Sequence, residues 1–599
     1  MGLKQTVVFA LVLAASAWPP SLFAHTTPQP DVQKNLQTLL GPNVFLFSSS
    51  TPTAEMQSQI DKVYAEQQHS EFGASRYAFL FLPGDYHIDI PIGFYTQVIG
   101  LGATPDAVHI SGNMHVDASL PNNNATCTFW RAAEGLAVTP STGTLQWATS
   151  QAVSFRRMHV LGNMVLHQNH GWASGGWISD SLIDGNVDSG SQQQWISRNS
   201  EWHSWTGSNW NMVFVGVTNP PPGDWPKPTY TKIDRTPISR EKPFLFADAH
   251  NNFSVLVPAL QHDTTGITWH NGSTPGRTVP LSHFYIAHPA DNATTINAAL
   301  ASGKDLLFTP GIFDLTEPIR VTRKNTIVLG LGYATLHPTN GTAAMTVADV
   351  DGVTISGILF DAGETKSPVL LEVGPPHSHA NHTSNPTSLH DIFFRVGGAA
   401  VGKVTANLIV NSNNVLIDHT WIWRADHGHG VGWTSNTSAN GLIVNGNDVT
   451  AYGLFVEHHQ QFQVLWNGER GRTFFYQSEI PYDPPDQAPP DQAPWRSAPN
   501  LNGWASYKVA DAVHDHEAFG LGIYSVFRHP DVTLTQAIEV PERPTVRFHH
   551  MITVALDNLG EISSVIDGTG GAAKTNPRVT PKIELFPPAR TKPASAPGR

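Results

Sequence analysis

The chain has little charge, a single cysteine and no long apolar run. Charged residues make up 14% of its 599 residues, and 35 basic against 48 acidic side chains give a net charge of -13. An acidic chain is a poor partner for nucleic acid or an anionic membrane. Cys127 alone excludes an intramolecular disulfide framework. No stretch after the N-terminal leader approaches the roughly 20 apolar residues of a membrane-spanning helix. We therefore expect neither a nucleic acid nor a membrane as partner, and a neutral substrate.

Several catalytic and cofactor motifs are also missing. No segment has the pattern Gly-x-Ser-x-Gly, the phosphate-loop pattern, or the His-Glu-x-x-His pattern of many zinc proteases. The 29 histidines include neighbours such as His458 and His459, but adjacent side chains on a strand point to opposite faces. The sequence therefore predicts no metal site and no cofactor.

The N-terminus has the pattern of an export signal. A short basic start, Met1 to Lys4, precedes an apolar run from Val7 to Trp18 that is too short to span a bilayer. Cleavage after Ala17 or Ala24 fits the small residues there. We predict that residues 1–24 are a signal peptide and that the protein is secreted, to the medium or the periplasm. A buried N-terminal helix is the alternative.

One sequence pattern occurs twice. Segments 83–92 and 310–319 both begin with Pro-Gly and end with Pro-Ile, with six residues between the two pairs, and Gly-Leu-Gly follows at 100–102 and 330–332. Each copy comes after a helix-like stretch, with Ile60 or Ile296, and a short apolar strand. This spacing is too long for one coil of a solenoid and is typical of a duplicated domain. The sequence predicts two related lobes with a cleft between them.

Short strands dominate both lobes. Segments 353–361 and 449–457 align without a gap, and the related segment 414–423 lies between them. Strand-turn-strand units of this kind, with Asn-rich turns, favour an all-β fold of two tandem right-handed parallel β-helix domains. A β-propeller or a β-sandwich is the alternative. The predicted order is a signal peptide at 1–24, an N-terminal β-helix at 40–217, a linker with inter-domain strands at 218–286, a C-terminal β-helix at 287–565 and a disordered tail at 587–599.

Two glutamates form the strongest candidate site. Glu457 and Glu479 lie 22 residues apart, about one coil, and each closes a strand. Equivalent positions on successive coils stack about 4.8 Å apart. Carboxylates that close cannot both ionise cheaply, so one should hold a proton near neutral pH. Two solvated glutamates at coil corners are the alternative interpretation.

Aromatic and polar side chains near these glutamates are typical of a sugar cleft. In the first lobe, a glutamine run before a strand is either an amide ladder between coils or a group that orients water or a sugar hydroxyl. The predicted substrate-binding residues are Trp466, Tyr476, Tyr482, Trp495, Trp202, Arg424 and Asp426.

The duplicated pattern, the glutamine-rich strand at 192–199 and the glutamate pair together resemble glycoside hydrolase family 55. That family consists of secreted β-1,3-glucanases built from two tandem β-helices, and the resemblance spans roughly residues 40–565. It implies that Glu479 is the general acid, that Glu457 is its neighbour, and that Gln193 or Gln194 holds the attacking water of an inverting reaction. The chain is also similar to bacterial secreted proteins labelled coagulation factor 5/8 type.

Two other functions stay open at this point. A polysaccharide lyase with an Arg or Lys base would act on an anionic polymer, which the net charge disfavours. A non-catalytic carbohydrate-binding surface protein would use its tryptophans as a binding ladder. The preferred prediction is a monomeric glycoside hydrolase whose substrate is a neutral polysaccharide or oligosaccharide. The favoured substrate is β-1,3-glucan.

Overall fold

The computed structural model describes residue 2 and residues 36–485, 495–530, 532–557 and 559–588. About 47% is strand and 6% is helix. The predicted signal peptide, most of the tandem Pro-Pro-Asp-Gln-Ala segment and the last residues of the predicted tail lie outside the described residues. Among the described residues, no helix combines the length and the apolar character that crossing a bilayer requires.

The first lobe is a β-helix in which parallel strands of successive coils stack into two sheets. Its inner sheet, which faces the second lobe, has the order Val44–Phe47, Tyr77–Phe81, Thr96–Gly100, Arg131–Glu134, Val153–Arg156, Trp177–Ser179, Gln194–Arg198, Asn211–Val215 and Tyr230–Ile233. Its outer sheet has the order Gly84–Tyr86, Val108–His115, Ala137–Pro140, His159–Val160, Leu182–Asp188, Asn163–Val165 and Thr144–Gln146, with Asp89–Pro91 and Glu201–Thr206 at its sides.

The second lobe repeats this construction with longer strands. Its inner sheet has the order Phe284–Ala287, Asp305–Phe308, Ile327–Pro338, Thr354–Asp361, Ser388–Val396, Leu416–Arg424, Thr450–Glu457, Gly471–Glu479, His516–Ser525, Val546–Ala555 and the antiparallel Lys582–Phe586, with Ile312–Leu315 beside the third strand. Its outer sheet has the order Ile319–Val321, Met345–Val347, Ser367–Val373, Val404–Val410, Ser438–Val444, Val464–Trp466, Tyr507–Val509 and Ile538–Glu539.

Antiparallel strands connect the lobes. They are the pair Thr236–Ser239 and Gln261–Thr264, and the sheet of Phe244–Ala247, Phe253–Pro258 and Gly276–Pro280. Strand Tyr230–Ile233, inside the predicted linker, extends the first lobe's inner sheet because it pairs with Asn211–Val215. Small antiparallel or parallel pairs decorate the C-terminal region: Arg496–Ala498 with Leu501–Asn502, Val532–Leu534 with Gly560–Ile562, and Lys574–Thr575 with Arg578–Val579.

The duplicated pattern marks the first coil of each lobe. Helix α1, Thr53–Gln67, and helix α2, Ala293–Ala301, each precede that coil and bury one apolar face. The Asn292 side chain caps α2 by accepting a hydrogen bond from the backbone N–H of Thr295. Gly311 of the second copy has φ +157°, and a Cβ there would lie 2.3 Å from Pro289. The glycine of the pattern is therefore required by the turn.

The two inner sheets pack against each other. Their facing side chains form several buried apolar clusters, one of which includes Trp130, Trp177 and Ile196 from the first lobe and Phe393 and Phe455 from the second. Each lobe also has its own core inside the coils. The interface is thus a third core, and it fixes the position of one lobe on the other.

Buried charges lie within this interface. Asp418 accepts hydrogen bonds from Arg156 at 2.9 Å and from Arg198 at 2.9 Å and 3.0 Å. Asp391 binds Arg156 through two guanidinium nitrogens, and Glu241 binds Arg198. All five side chains are at least nine-tenths buried. Charges this deep are tolerated only when paired, so they restrict how the lobes can associate.

Candidate active site

A pocket of about 220 Å³ lies at one edge of the interface, between the inner sheets. It contains both glutamates and one glutamine that the sequence predicted. Its walls are formed by Thr126, Cys127, Phe129, Gln151, Ser174 and Gln193 of the first lobe and by Trp421, Trp423, Asp426, His427, Glu457, His458, Glu479, Tyr482 and Leu556 of the second. Both lobes are needed to build it, as the predicted cleft between them requires.

Glu457 and Glu479 are neighbours in the wall of the second lobe. Each is the last residue of its strand, and the two strands are adjacent and parallel. Phe455 pairs with Gln477, so the same register places Glu457 beside Glu479. The backbone N–H of His458 also donates to the carbonyl oxygen of Glu479 at 2.9 Å. The predicted stacking of the glutamates on successive coils is confirmed.

Both carboxyl groups have pKa values raised above the usual value of a glutamate. Burial raises the pKa of Glu479 to about 7, with the charge of Asp426 adding to the rise and the hydrogen bond from Tyr482 opposing it. Burial and then the charge of Glu479 raise the pKa of Glu457 well above its usual value. The pair therefore retains a proton near neutral pH and is chemically able to act as an acid.

Two nitrogen donors bind the Glu457 carboxyl group. The indole N–H of Trp421 donates to Oε2 at 2.8 Å, and the amide Nε2 of Gln151 donates to Oε1 at 2.9 Å. An indole nitrogen can only donate, so Glu457 accepts at this contact. Because Gln151 belongs to the first lobe, the carboxyl group is held from both sides of the interface.

The opposite wall carries three polar side chains on three successive coils. Ala173 pairs with Gln192, which sets Ser174 beside Gln193. The Ser174 hydroxyl donates to Oε1 of Gln151 at 3.0 Å. Sequence analysis missed Gln151 and Ser174, although each precedes a strand of the inner sheet by two or three residues, as Gln193 does by one. The recurrence of a polar residue just before each of these strands could have identified both residues from the sequence.

The neighbouring glutamines 193 and 194 have different environments. The Gln193 side chain lines the pocket and makes no hydrogen bond to any described residue. Gln194 is fully buried, and its Nε2 donates to the carbonyl oxygen of Ser174 at 2.6 Å. The prediction that Gln194 can hold a water in the pocket is wrong, because its side chain is fully enclosed against Gly175 inside the interface, whereas Gln193 precedes the strand and lies in the pocket wall.

Aromatic rings line one side of the pocket. Trp421 and Trp423 stack with their centroids 4.7 Å apart, and Phe129 lies 4.6 Å from Trp421. Phe72 stacks behind Trp423 at 6.2 Å. Sequence analysis did not select these rings, although the intervening Ile422 belongs to the second lobe's core, so strand alternation directs both tryptophans outward. Such faces are suited to the apolar side of a sugar ring.

Four of the predicted substrate-binding aromatics are core residues. Trp466, Tyr476 and Trp495 are buried inside the second lobe, and Trp202 is buried inside the first. None of the four is in the wall of the pocket. Their predicted contact with substrate is wrong because nearness in sequence to a glutamate says nothing about the face of the strand.

Of the three remaining predicted substrate contacts, two lie in the pocket wall and one does not. Arg424 is 1% exposed and forms an ion pair with Asp483, so its predicted contact with substrate is wrong. Asp426 and Tyr482 do lie in the pocket wall. Burial raises the pKa of Asp426, but its hydrogen bond with His427 and the charge of His458 outweigh burial and lower the pKa to about 2. Asp426 is therefore an anion beside the glutamate pair.

A second cavity of about 320 Å³ adjoins the pocket. The two share Thr126, Gln193 and Leu556 in their walls. Trp172 lies here with 51% of its surface exposed, and its ring centroid is 6.4 Å from that of Trp210. The pocket thus continues into a second compartment that also offers an aromatic face.

Known proteins share this sequence and architecture. Residues 284–479 match a family model described as the LAM55 pectate lyase-like domain. An exo-β-1,3-glucanase of Streptomyces sp. strain SirexAA-E is 46% identical over 551 residues, which is 92% of this chain and 90% of that protein.

Solved structures give the same result. The structure of sacteLam55A from Streptomyces sp. SirexAA-E matches with a TM-score of 0.89 and 46% identity, over 92% of this chain and 99% of the other. A variant of that protein in complex with glucose matches equally, over 92% of this chain and 98% of the other. Identity this high over nearly the whole of both chains leaves one conclusion: the protein belongs to glycoside hydrolase family 55.

Proposed function

We propose that the protein is an exo-acting β-1,3-glucanase that inverts the anomeric centre, with Glu479 as its general acid. One observation carries the proposal: a buried glutamate pair faces a ladder of uncharged polar side chains across a pocket of about 220 Å³. The 46% identical glucanase and the glucose complex of its variant support the substrate class.

Glu479 is the better placed of the two glutamates to donate a proton. Burial and the charge of Glu479 raise the pKa of Glu457, so the pair shares one proton at neutral pH. The hydrogen bonds that Glu457 accepts from Trp421 and Gln151 favour the form in which Glu479 holds that proton and Glu457 is the anion. Glu479 contacts the hydroxyl of Tyr482 and keeps its proton to about pH 7. As the glycosidic bond breaks, Glu479 gives its proton to the departing sugar oxygen, and the leaving group departs as an alcohol.

The opposite wall supplies the position of the attacking water. The amide of Gln193 and the hydroxyl of Ser174 are a donor-acceptor set able to hold one water molecule at the face of the sugar away from Glu479. Hydrogen bonds lead from Ser174 through Gln151 to Glu457, which takes up the proton that the water loses when Glu479 holds the proton of the pair. Glu457 and Glu479 share one wall, so the retaining geometry of two carboxylates flanking the bond is not met.

The shape of the pocket supports release of sugar from a chain end. The space corresponds to about seven water molecules, enough for one sugar ring rather than a polymer passing through. The rest of the glucan then occupies the adjoining cavity, where Trp172 presents an exposed ring. A chain end inserted as far as Trp421 and Trp423 would stop there.

Product stereochemistry tests the proposal. Incubation with a β-1,3-glucan such as laminarin, followed by proton NMR from the first minutes, should show the α-anomer of the released sugar before mutarotation. An initial β-anomer would overturn inversion, and a ladder of long oligosaccharides would overturn exo action. A β-1,4-glucan is the matched control substrate and should release nothing.

The two alternative functions lose their support. None of the described residues lining the pocket is an arginine or a lysine, so the base expected of a polysaccharide lyase is missing from that lining. A purely carbohydrate-binding role does not account for a glutamate pair with raised pKa values. Detection of unsaturated, ultraviolet-absorbing products would instead show that the protein is a polysaccharide lyase.

We also propose that the protein is exported and acts as a monomer. The charge pattern of residues 1–24 supports export, and a pocket built from the two lobes of one chain needs no second copy. Mass spectrometry of protein recovered from the medium or periplasm should give a chain cleaved after Ala17 or Ala24. Light scattering of the same sample should give the mass of one chain, and an uncleaved or dimeric product would contradict these proposals.

A further inference from the structure

A thiol, an imidazole and a carboxylate converge beside the sugar pocket. The ligand atoms of Glu71, Cys127 and His427 all lie within 4.8 Å of one another. Glu71 and Cys127 belong to the first lobe and His427 to the second, so the cluster bridges the interface. The three residues are far apart in the sequence, which is why inspection of local motifs predicted no metal site.

The geometry points to a binding site for a zinc-type divalent ion formed by Glu71, Cys127 and His427, with a fourth coordination position open to the sugar pocket. Cysteine sulfur, histidine nitrogen and a carboxylate oxygen are the ligand types that Zn²⁺ takes in proteins. Three protein ligands and one open position is the arrangement of an accessible site rather than of a closed structural site.

The contact between His427 and Asp426 supports this assignment. Its Nε2 lies 2.6 Å from Oε1 of Glu71, and its Nδ1 lies 3.0 Å from Oδ1 of Asp426. A metal-bound histidine usually has its second ring nitrogen bonded to a carboxylate, which fixes the ring and its tautomer. Asp426 has that position here, and an ion would replace the hydrogen bond that now joins Nε2 to Glu71.

The place of the cluster gives the ion a consequence. Cys127 and His427 are both in the pocket wall, whereas Glu71 is not. Glu71 and His427 are part-exposed, with 20% and 35% of their side-chain surfaces accessible, so an ion can reach them from solvent. The open coordination position of an ion bound there would face the sugar pocket. The ion would therefore hinder sugar binding.

Cadmium is the probe, because a Cd²⁺–thiolate bond gives an ultraviolet charge-transfer band that oxygen and nitrogen ligands do not. Full-length protein treated with EDTA and titrated with CdCl₂ should develop this band to one equivalent per chain, and ZnCl₂ should remove it by competition. Cys127→Ser should abolish the band. His427→Gln and Glu71→Gln should keep the thiol but weaken Cd²⁺ binding at least tenfold. His109→Gln is the matched control, since His109 pairs with Asp85 on the surface, and it should bind like the wild type.

The results separate a three-ligand site from a single reactive thiol. Unchanged affinity in His427→Gln and Glu71→Gln would mean that Cys127 binds cadmium alone and would overturn the assignment. Absence of the band in the wild type would do the same. Zn²⁺ should also slow laminarin hydrolysis by the wild type more than by Cys127→Ser, and equal inhibition of both would place the ion elsewhere. The absorption measurement needs no catalytic activity, so it is independent of the proposed function.

Discussion

Glu479→Gln should lower kcat on laminarin by about 10²- to 10⁴-fold, the range expected when a general acid is removed. The amide keeps the size of the side chain but has no acidic proton to give. Removing one of two neighbouring carboxyl groups also relieves their repulsion, so the melting temperature should not fall. Turnover close to that of the wild type would contradict the role of Glu479.

A substrate with a good leaving group separates acid catalysis from a structural role. The nitrophenolate of a nitrophenyl β-glucoside leaves without being protonated. The fall in kcat of Glu479→Gln should therefore be much smaller on this substrate than on laminarin. Wild-type kcat on laminarin should fall as the pH rises through about 7, because Glu479 then loses its proton. Glu517→Gln, on the neighbouring strand His516–Ser525, is the matched control and should keep full activity and the same pH profile.

Asp418→Asn should destabilise the protein by about 3–5 kcal/mol, the range for removing one partner from a buried ion pair. The Asp418 carboxylate is 3% exposed and binds both Arg156 and Arg198 across the lobe interface. The neutral amide cannot balance two guanidinium groups in that environment. Urea denaturation monitored by fluorescence measures the change, with the tryptophans of the interface as reporters.

An exposed ion pair provides the control for this experiment. Asp448→Asn removes the partner of Arg470 on the surface, where the loss should be about 0–1 kcal/mol. The pKa of Asp418 is lowered by Arg198 and Arg156 despite its burial, so its stabilising effect is complete above its ordinary value of 3.8. That effect is lost only as the pH falls toward the lowered pKa. Equal losses in the two variants would mean that the buried charges do not hold the lobes together.

Local periodicity was enough to predict the glutamate pair of the second lobe. Glu457 and Glu479 end strands one coil apart, and a parallel β-helix converts that spacing directly into side-by-side carboxyl groups. In the first lobe, the family resemblance pointed to Gln193 or Gln194, and only Gln193 lies in the pocket wall. Gln194 is enclosed inside the interface, and only the packing of the lobes distinguishes it from its neighbour.

Composition near the glutamates misled the choice of sugar contacts. Trp466 and Tyr476 fill the second lobe's core, whereas Trp421 and Trp423, which lie earlier in the chain, line the pocket. An aromatic ring is equally favourable in a core and in a sugar site, so residue type alone does not separate the two. Only the direction of each side chain from its coil separates them.

The sequence by itself determined the two β-helices and the stacking of the glutamates, since both depend on contacts between one coil and the next. The tertiary structure decided everything that depends on how the lobes face each other. Gln151 reaches Glu457 across the interface, and Glu71 and Cys127 meet His427 in the same way. The two residues of each of these pairs are hundreds of positions apart in the sequence. No local pattern encodes the packing of one inner sheet on the other. The buried charges of Arg156, Arg198 and Asp418 fix that packing, so the pocket exists only once the lobes have docked.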